Sequence, residues 1–237
     1  MEKKLYHSKK ILGIIPARGN SKGIKNKNLK LINGKPLIYY TINRAKKSKL
    51  ISDLIGSTDS KKIEKYFINF GVKVPFNRPN KLAGDRSNII DTLIYSVEKM
   101  ELIKNIKYDY VCLLQPTSPL RKKNEIDNAI RKIIKYKADT FLSLSELDDP
   151  HPYKLMKIKN NKLSFFKKNF KGTMNRQMMP KLFKPTGNIY IINRDTLKKK
   201  TIYGKKSIYS LVDQKYYLNI NNYDDLILAK EKLKKLY

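Results

Sequence analysis

The stretch KILGIIPARGNSKG, residues 10–23, decides the fold. Its first half is short, apolar and rich in isoleucine, and it is bounded by proline. That composition predicts a buried strand over 10–17. Its second half opens a basic, glycine-containing loop that runs to about Asn33. A helix is predicted next, over 34–48, with Pro36 near its start and apolar residues at Leu37, Tyr40, Ile42 and Ala45. Strand, loop and helix in that order open an α/β sheet, in which ligands sit beyond the C-terminal ends of the strands.

The alternation continues. LIGSTD (54–59) predicts a second strand, and residues 59–71 a helix capped by Asp59 or Ser60 and ended by Gly71. VKVPFN (72–77) predicts a third strand, interrupted by proline and therefore at an edge. After the polar loop RPNKLAGDRSN come a helix over 89–103, a buried strand in YDYVCLLQP (108–116), a turn and amphipathic helix over 117–137, and a strand in DTFLSLSEL (139–147). This order predicts a mostly parallel sheet with helices on both faces. The pattern changes after about residue 149. Residues 148–166 predict a hairpin turning near Asn160–Asn161, residues 167–187 show no period, NIYIINRD (188–195) returns as a strand, and 223–236 predicts a closing amphipathic helix. The expectation is one domain over 1–237 with an inserted β-rich arm at about 150–186.

With 237 residues and 41% apolar content, the chain can bury one sizeable core. The formal charge of +32 resembles a nucleic-acid signal, but of the 52 basic residues only 8 are arginine, the better bidentate reader of phosphate and base. The lysines are scattered along the chain, so general solvation is expected and no nucleic-acid partner. No apolar run approaches the ~18 residues of a membrane span, and the N-terminus lacks an apolar signal core. The expectation is a cytoplasmic protein with no membrane partner. A single cysteine, Cys112, excludes a disulfide frame and a thiolate metal cluster.

In the first loop, Gly19 and Gly23 let backbone approach a ligand, and consecutive N–H groups can form an anion nest. Arg18 and Lys22 add charged donors and Ser21 a hydroxyl. The loop matches neither G-x-x-x-x-G-K-[ST] nor G-x-G-x-x-G. Taken alone, it reads either as a solvated basic loop or as a polyphosphate cradle.

The loop has company. IIPARGNSKGIKNKNLKLINGKPLI, STDS, FNRPNKLAGDRS, LLQPTSPLR and NRQMMPKLFKPTGNIYI follow in that order. From about residue 10 to the C-terminus this resembles the acylneuraminate cytidylyltransferase family, the CMP-sialic acid synthetases and their legionaminic and pseudaminic acid relatives. The resemblance implies a Rossmann-like, glycosyltransferase-A-like nucleotidyltransferase sheet and a homodimer joined by a protruding β-arm. It implies transfer of CMP from CTP to the anomeric hydroxyl of an acidic nonulosonic sugar, with Mg²⁺ and release of pyrophosphate. The alternatives within reach are another acidic sugar such as Kdo, or a catalytically weak CTP-binding homologue.

The resemblance also implies roles. Arg18, Ser21, Lys22 and Asn28, with N–H groups near Gly19 and Gly23, hold the CTP phosphates, and Arg18 and Lys22 stabilise the leaving pyrophosphate. Ala17 and Arg78 help read cytosine, and Ser87 is a further nucleotide-site candidate. Gln115 suits a sugar or ribose hydroxyl. Ser118 and Arg121 serve either a ligand or the structure. Arg176, Lys184 and Lys154 are candidates for the sugar carboxylate. Tyr190 is a wall of the sugar pocket or a packing residue. The family's metal-holding Asp-x-Asp falls on Asn219 and Asn221, which lack the charge that favours Mg²⁺. Asp225 is expected to serve the start of the final helix. His151 is expected to be structural in the arm.

Overall fold

The computed structural model describes residues 6, 8–21, 23–147, 150–167, 172 and 174–236, with backbone alone at 176. Among them, six strands form the central sheet: β1 (Ile11–Pro16), β4 (Asp53–Ser57), β5 (Tyr110–Leu113), β6 (Thr140–Glu146), β9 (Phe183–Asn193) and β10 (Ser207–Leu211). Their order is β10-β6-β9-β5-β1-β4. β1 runs parallel to β4 and β5, and β10 parallel to β6. β9 alone is antiparallel, wedged between β5 and β6.

The helices follow from the strand pattern. Along β1 successive side chains point to opposite faces, and Ile11, Leu12, Ile14 and Ile15 are all fully buried. Ile11 and Ile15 therefore pack with α1 (Leu37–Lys46), α2 (Lys61–Asn69) and α4 (Glu125–Tyr136), through Ile38, Ile42, Phe67 and Ile130. Leu12 and Ile14 pack on the other face with α3 (Ile89–Lys104) and the short α5 (Arg194–Lys198), through Leu93, Val97 and Leu197. A third cluster seats α6 (Tyr223–Lys234) against Ile24, Leu37 and Tyr40. It brings the chain's C-terminal part back beside the first loop.

Several expectations need correction. VKVPFN is not a strand: it makes one isolated parallel bridge, Lys73 to Ile55, because Pro75 has no N–H to extend the ladder. The strand expected from 188 already begins at Phe183, so the arm ends before 183 rather than at 186. The register shift between Leu142 and Leu144 in the facing β6, together with Pro185 and Gly187, hid its period. At its far end Arg194 and Asp195 belong to α5, whose start Asn193 caps. β10 was not expected. Asn33, taken as the end of a loop, and Gly34, taken as the start of a helix, instead turn a small hairpin of β2 (Leu31–Ile32) and β3 (Lys35–Pro36), both with positive φ, and the helix begins only at Leu37.

The arm contains the expected hairpin, β7 (Met156–Lys159) against β8 (Lys162–Phe165). Asn160 and Asn161 both have positive φ, as a tight two-residue turn demands. At its base His151 is buried; its Nδ1 accepts from the Tyr153 N–H and its Nε2 donates to the Pro180 carbonyl. That is the structural part expected of it.

Candidate active site

Beyond the C-terminal ends of β1, β4 and β5 lies a cleft of about 450 Å³. Eight of the residues singled out from sequence line it: Arg18, Ser21, Gly23, Asn28, Arg78, Ser87, Gln115 and Asn221. Lys27, Asp85 and Thr117 join them and were missed. Lys22 lies outside the described residues, as does the side chain of Arg176.

The first loop is held from several sides. Asn28 is buried and donates its amide N–H to the Arg18 carbonyl at 3.1 Å. The Gly19 N–H donates to Asp59 at 2.8 Å. Ala17 is buried behind the cleft, with its N–H given to the Ser57 carbonyl at 2.9 Å. Gly23 presses on the segment before α6: a Cβ there would stand 2.4 Å from the Asn221 carbonyl oxygen. Lys27 reinforces that contact, its Nζ donating to the Ile220 carbonyl at 3.0 Å.

The cleft is cationic. Arg18 pairs with Asp85 at 3.0 Å and donates to the Gly84 carbonyl at 3.1 Å. Arg78 is buried at the end of β4, its Nε donating to Ser57 Oγ at 3.2 Å and its Nη2 to the Ser57 carbonyl. Burial pulls the Arg78 pKa down to about 10, with Asp59 opposing and Arg18 adding to the shift. Burial likewise lowers the Lys27 pKa, again with help from Arg18. Arg18 thus acts on both other cations, and Asp85 is the carboxylate among the described lining residues.

Gln115 stands at the end of β5 against Gly187, whose φ is +78°. A Cβ at 187 would lie 2.5 Å from Gln115 Oε1 and 2.8 Å from Ser118 Oγ, so both the backbone and the space call for glycine. Ser118 and Arg121 are structural. Ser118 Oγ donates to the Thr186 carbonyl at 2.8 Å. Arg121 is fully buried and donates to the Asn188 carbonyl, Thr41 Oγ1 and the Gln115 carbonyl, each at 2.8 Å.

The other sugar candidates do not line the cleft. Lys154 is exposed at the base of the arm. Lys184, on β9, places its Nζ 4.9 Å from the centre of the Tyr217 ring. Tyr190, also on β9, is half-buried beside Leu113 and Leu142, and burial raises its hydroxyl pKa.

Asp225 forms a capping box with Asn222 and also accepts the Asn221 N–H at 2.7 Å, so the helix start employs it as expected. Asn221 donates its side-chain amide to the Asn219 carbonyl at 3.3 Å. Asn219 Oδ1 is buried with no hydrogen-bond partner. A buried acceptor without a donor is an atom that a cation can satisfy. Amide oxygens are hard but neutral ligands, so a divalent ion beside them would need phosphates to supply the compensating charge; of the two residues, Asn221 lines the cleft.

A largely parallel sheet, covered on both faces and bearing a cationic cleft at its strand ends, is an α/β architecture whose opening suits an anionic ligand. Solved structures share the fold. A CMP:2-keto-3-deoxy-manno-octonic acid synthetase complexed with CTP superposes with TM-score 0.68 at 16% identity, covering 95% of this chain and 99% of that one. A 4-diphosphocytidyl-2C-methyl-D-erythritol synthase from Anaerococcus prevotii gives 0.66 at 11%, covering 98% and 99%.

The chain belongs to the cytidylyltransferase family, whose model matches residues 12–236. A CMP-N,N'-diacetyllegionaminic acid synthase of Legionella pneumophila is 40% identical over 58% of this chain and 59% of its own length. A pseudaminic acid cytidylyltransferase of Campylobacter jejuni is 30% identical over 93% of this chain and 95% of that one. An N-acylneuraminate cytidylyltransferase of Escherichia coli is 31% identical over 93% of this chain, which spans about half of that longer protein, 51%.

Proposed function

We propose that the chain transfers CMP from CTP to the anomeric hydroxyl of an acidic nonulosonic sugar of the sialic, legionaminic or pseudaminic type, releasing pyrophosphate. The observation that carries this reading is the convergence of Arg18, Lys27 and Arg78 on one cleft at the strand ends, in a chain of this family. The relatives' names supply the sugar class.

In this reading Arg18 and Lys27 lie against the triphosphate and stabilise charge as the α–β bond breaks. Lys22, in the same loop, adds to them. The sugar hydroxyl attacks the α-phosphorus, and catalysis rests on placement and electrostatics rather than on a covalent enzyme intermediate. Arg78 and the backbone at Ala17 form the cytosine end, and Ser21, Asn28 and Ser87 brace the nucleotide. Gln115 meets a hydroxyl of the ribose or the sugar. Arg176, Lys184 and Lys154 are the candidate cations for the sugar carboxylate, with Tyr190 beside them. Asn219 and Asn221 would hold a Mg²⁺ ion arriving with CTP, and the ion would supply charge neutralisation for the phosphates. The arm joins two copies in a homodimer, and the site of action is the cytoplasm. Among the described residues no helix is long and apolar enough to cross a membrane.

Neutral amides at 219 and 221 favour a second reading, a CTP binder with little turnover. Pyrophosphate release from CTP, UTP and GTP, each offered sialic, legionaminic and pseudaminic acids and Kdo, separates the two. Release with CTP and a nine-carbon acid is expected. Silence across the panel from folded protein that still binds CTP supports the second reading.

A further inference from the structure

The Arg18 guanidinium is already held by an anion of the protein's own. Its Nη1 lies 3.0 Å from Asp85 Oδ1 and 3.1 Å from the Gly84 carbonyl. The segment that carries Asp85 is braced within itself. Ala83 N–H donates to the Asn80 carbonyl, Ser87 N–H to the Gly84 carbonyl, and Ser87 Oγ to the Lys81 carbonyl. Asp85 thus sits on a preformed turn that faces Arg18 across the cleft. Around Arg18 the other described charges that line the cleft are Lys27 and Arg78, both cationic. Asp85 is thus the carboxylate that Arg18 meets among the described residues lining the cleft.

We propose that Asp85 is an internal competitor for phosphate: it occupies Arg18 with a carboxylate that the nucleotide's phosphates must displace. This rests on the reading of the cleft as the CTP site and adds a positioning and specificity role within it. Displacement has two consequences. Oxygens of a polyphosphate can take the bidentate face of Arg18 and also engage Lys27, so a di- or triphosphate overcomes the carboxylate more readily than a single phosphate does. When pyrophosphate departs, Asp85 recaptures Arg18, and the exchange favours product release.

Removing the competitor is therefore expected to tighten pyrophosphate binding. Both side chains are about one-third exposed, and such pairs are weak, so Asp85→Asn should lower the pyrophosphate Kd by about fivefold. Asp85→Glu, which keeps the charge, should stay near wild type. The gain should vanish in the Arg18→Gln background, because the competition proposed is for that guanidinium. Titration calorimetry of wild type, Asp85→Asn, Asp85→Glu, Arg18→Gln and the Arg18→Gln/Asp85→Asn double variant reads all of this, with thermal unfolding as the check on folding. An unchanged or weaker Kd in folded Asp85→Asn overturns the proposal. So does a gain that persists without Arg18, which would show only a general change of field. A wild-type protein that binds neither CTP nor pyrophosphate brings down the cleft reading as well, whereas tight wild-type binding indifferent to Asp85 brings down this proposal alone.

Discussion

Lys27 holds a half-buried ammonium 3.0 Å from the Ile220 carbonyl, and burial keeps its pKa below the ordinary 10.5. A lysine lowered in this way is neutralised at a less alkaline pH than a surface lysine. A phosphate beside it favours the charged form and raises the pKa again. CTP binding should therefore take up a proton between the lowered value and 10.5, and none well below it. Calorimetry at a series of pH values below 10.5, in two buffers of different ionisation enthalpy, should show this uptake, and Lys27→Met should abolish it. The same variant should lower kcat/KM by about 100-fold if Lys27 stabilises the transition state. Folding has the opposite sign: a cation held below its ordinary pKa opposes folding at neutral pH, so Lys27→Met should not lower stability there. Arg18 was legible in the sequence because arginine is rare in this chain and follows the first strand directly. Lys27 was not, since it is one lysine among many and its burial arises from a carbonyl almost two hundred residues away.

At the scale of elements, the close of β5 is tied to its neighbours by one side chain. Arg121 joins α1 through Thr41, β9 through Asn188 and the strand end through Gln115. Lysine has neither the planar fork nor the reach for three acceptors in different directions. Arg121→Lys should cost about 3 kcal/mol, since buried acceptors are left unpaired. Urea unfolding reads that loss, and a change within experimental error would contradict the role. The parallel strands β1, β4 and β5 were readable because they are short apolar runs between turn signals. β9 was readable only in its second half. Its first half carries Lys184, Pro185 and Gly187, which serve a bulge and a contact with Gln115 rather than a regular period. β10 has exposed residues at alternate positions along an edge and lacks a strong apolar run.

The whole molecule presents a hairpin arm whose apolar side chains face outward. Ile158 is 76% and Leu163 66% exposed, and an isolated two-stranded hairpin is marginal in water. If the arm joins two copies, Ile158→Lys with Leu163→Lys should convert a dimer into a monomer in sedimentation, with an unchanged circular dichroism spectrum. A wild-type monomer would contradict that assembly. The hairpin itself was legible from Asn160–Asn161 and the break in alternation. The charge of +32 is carried mostly by lysines scattered along the chain. Where that charge becomes chemistry depends on folding, which brings Arg18 and Lys27 of the first loop and Arg78 of a later loop to one opening.

The central claim is that this opening receives the triphosphate of CTP. The most direct measurement is a crystal structure of the protein grown with CTP and Mg²⁺. The account predicts phosphate oxygens within hydrogen-bonding distance of Arg18 and Lys27, with the base toward Arg78. Density for CTP elsewhere, with Arg18 and Lys27 making no contact to phosphate, would contradict it.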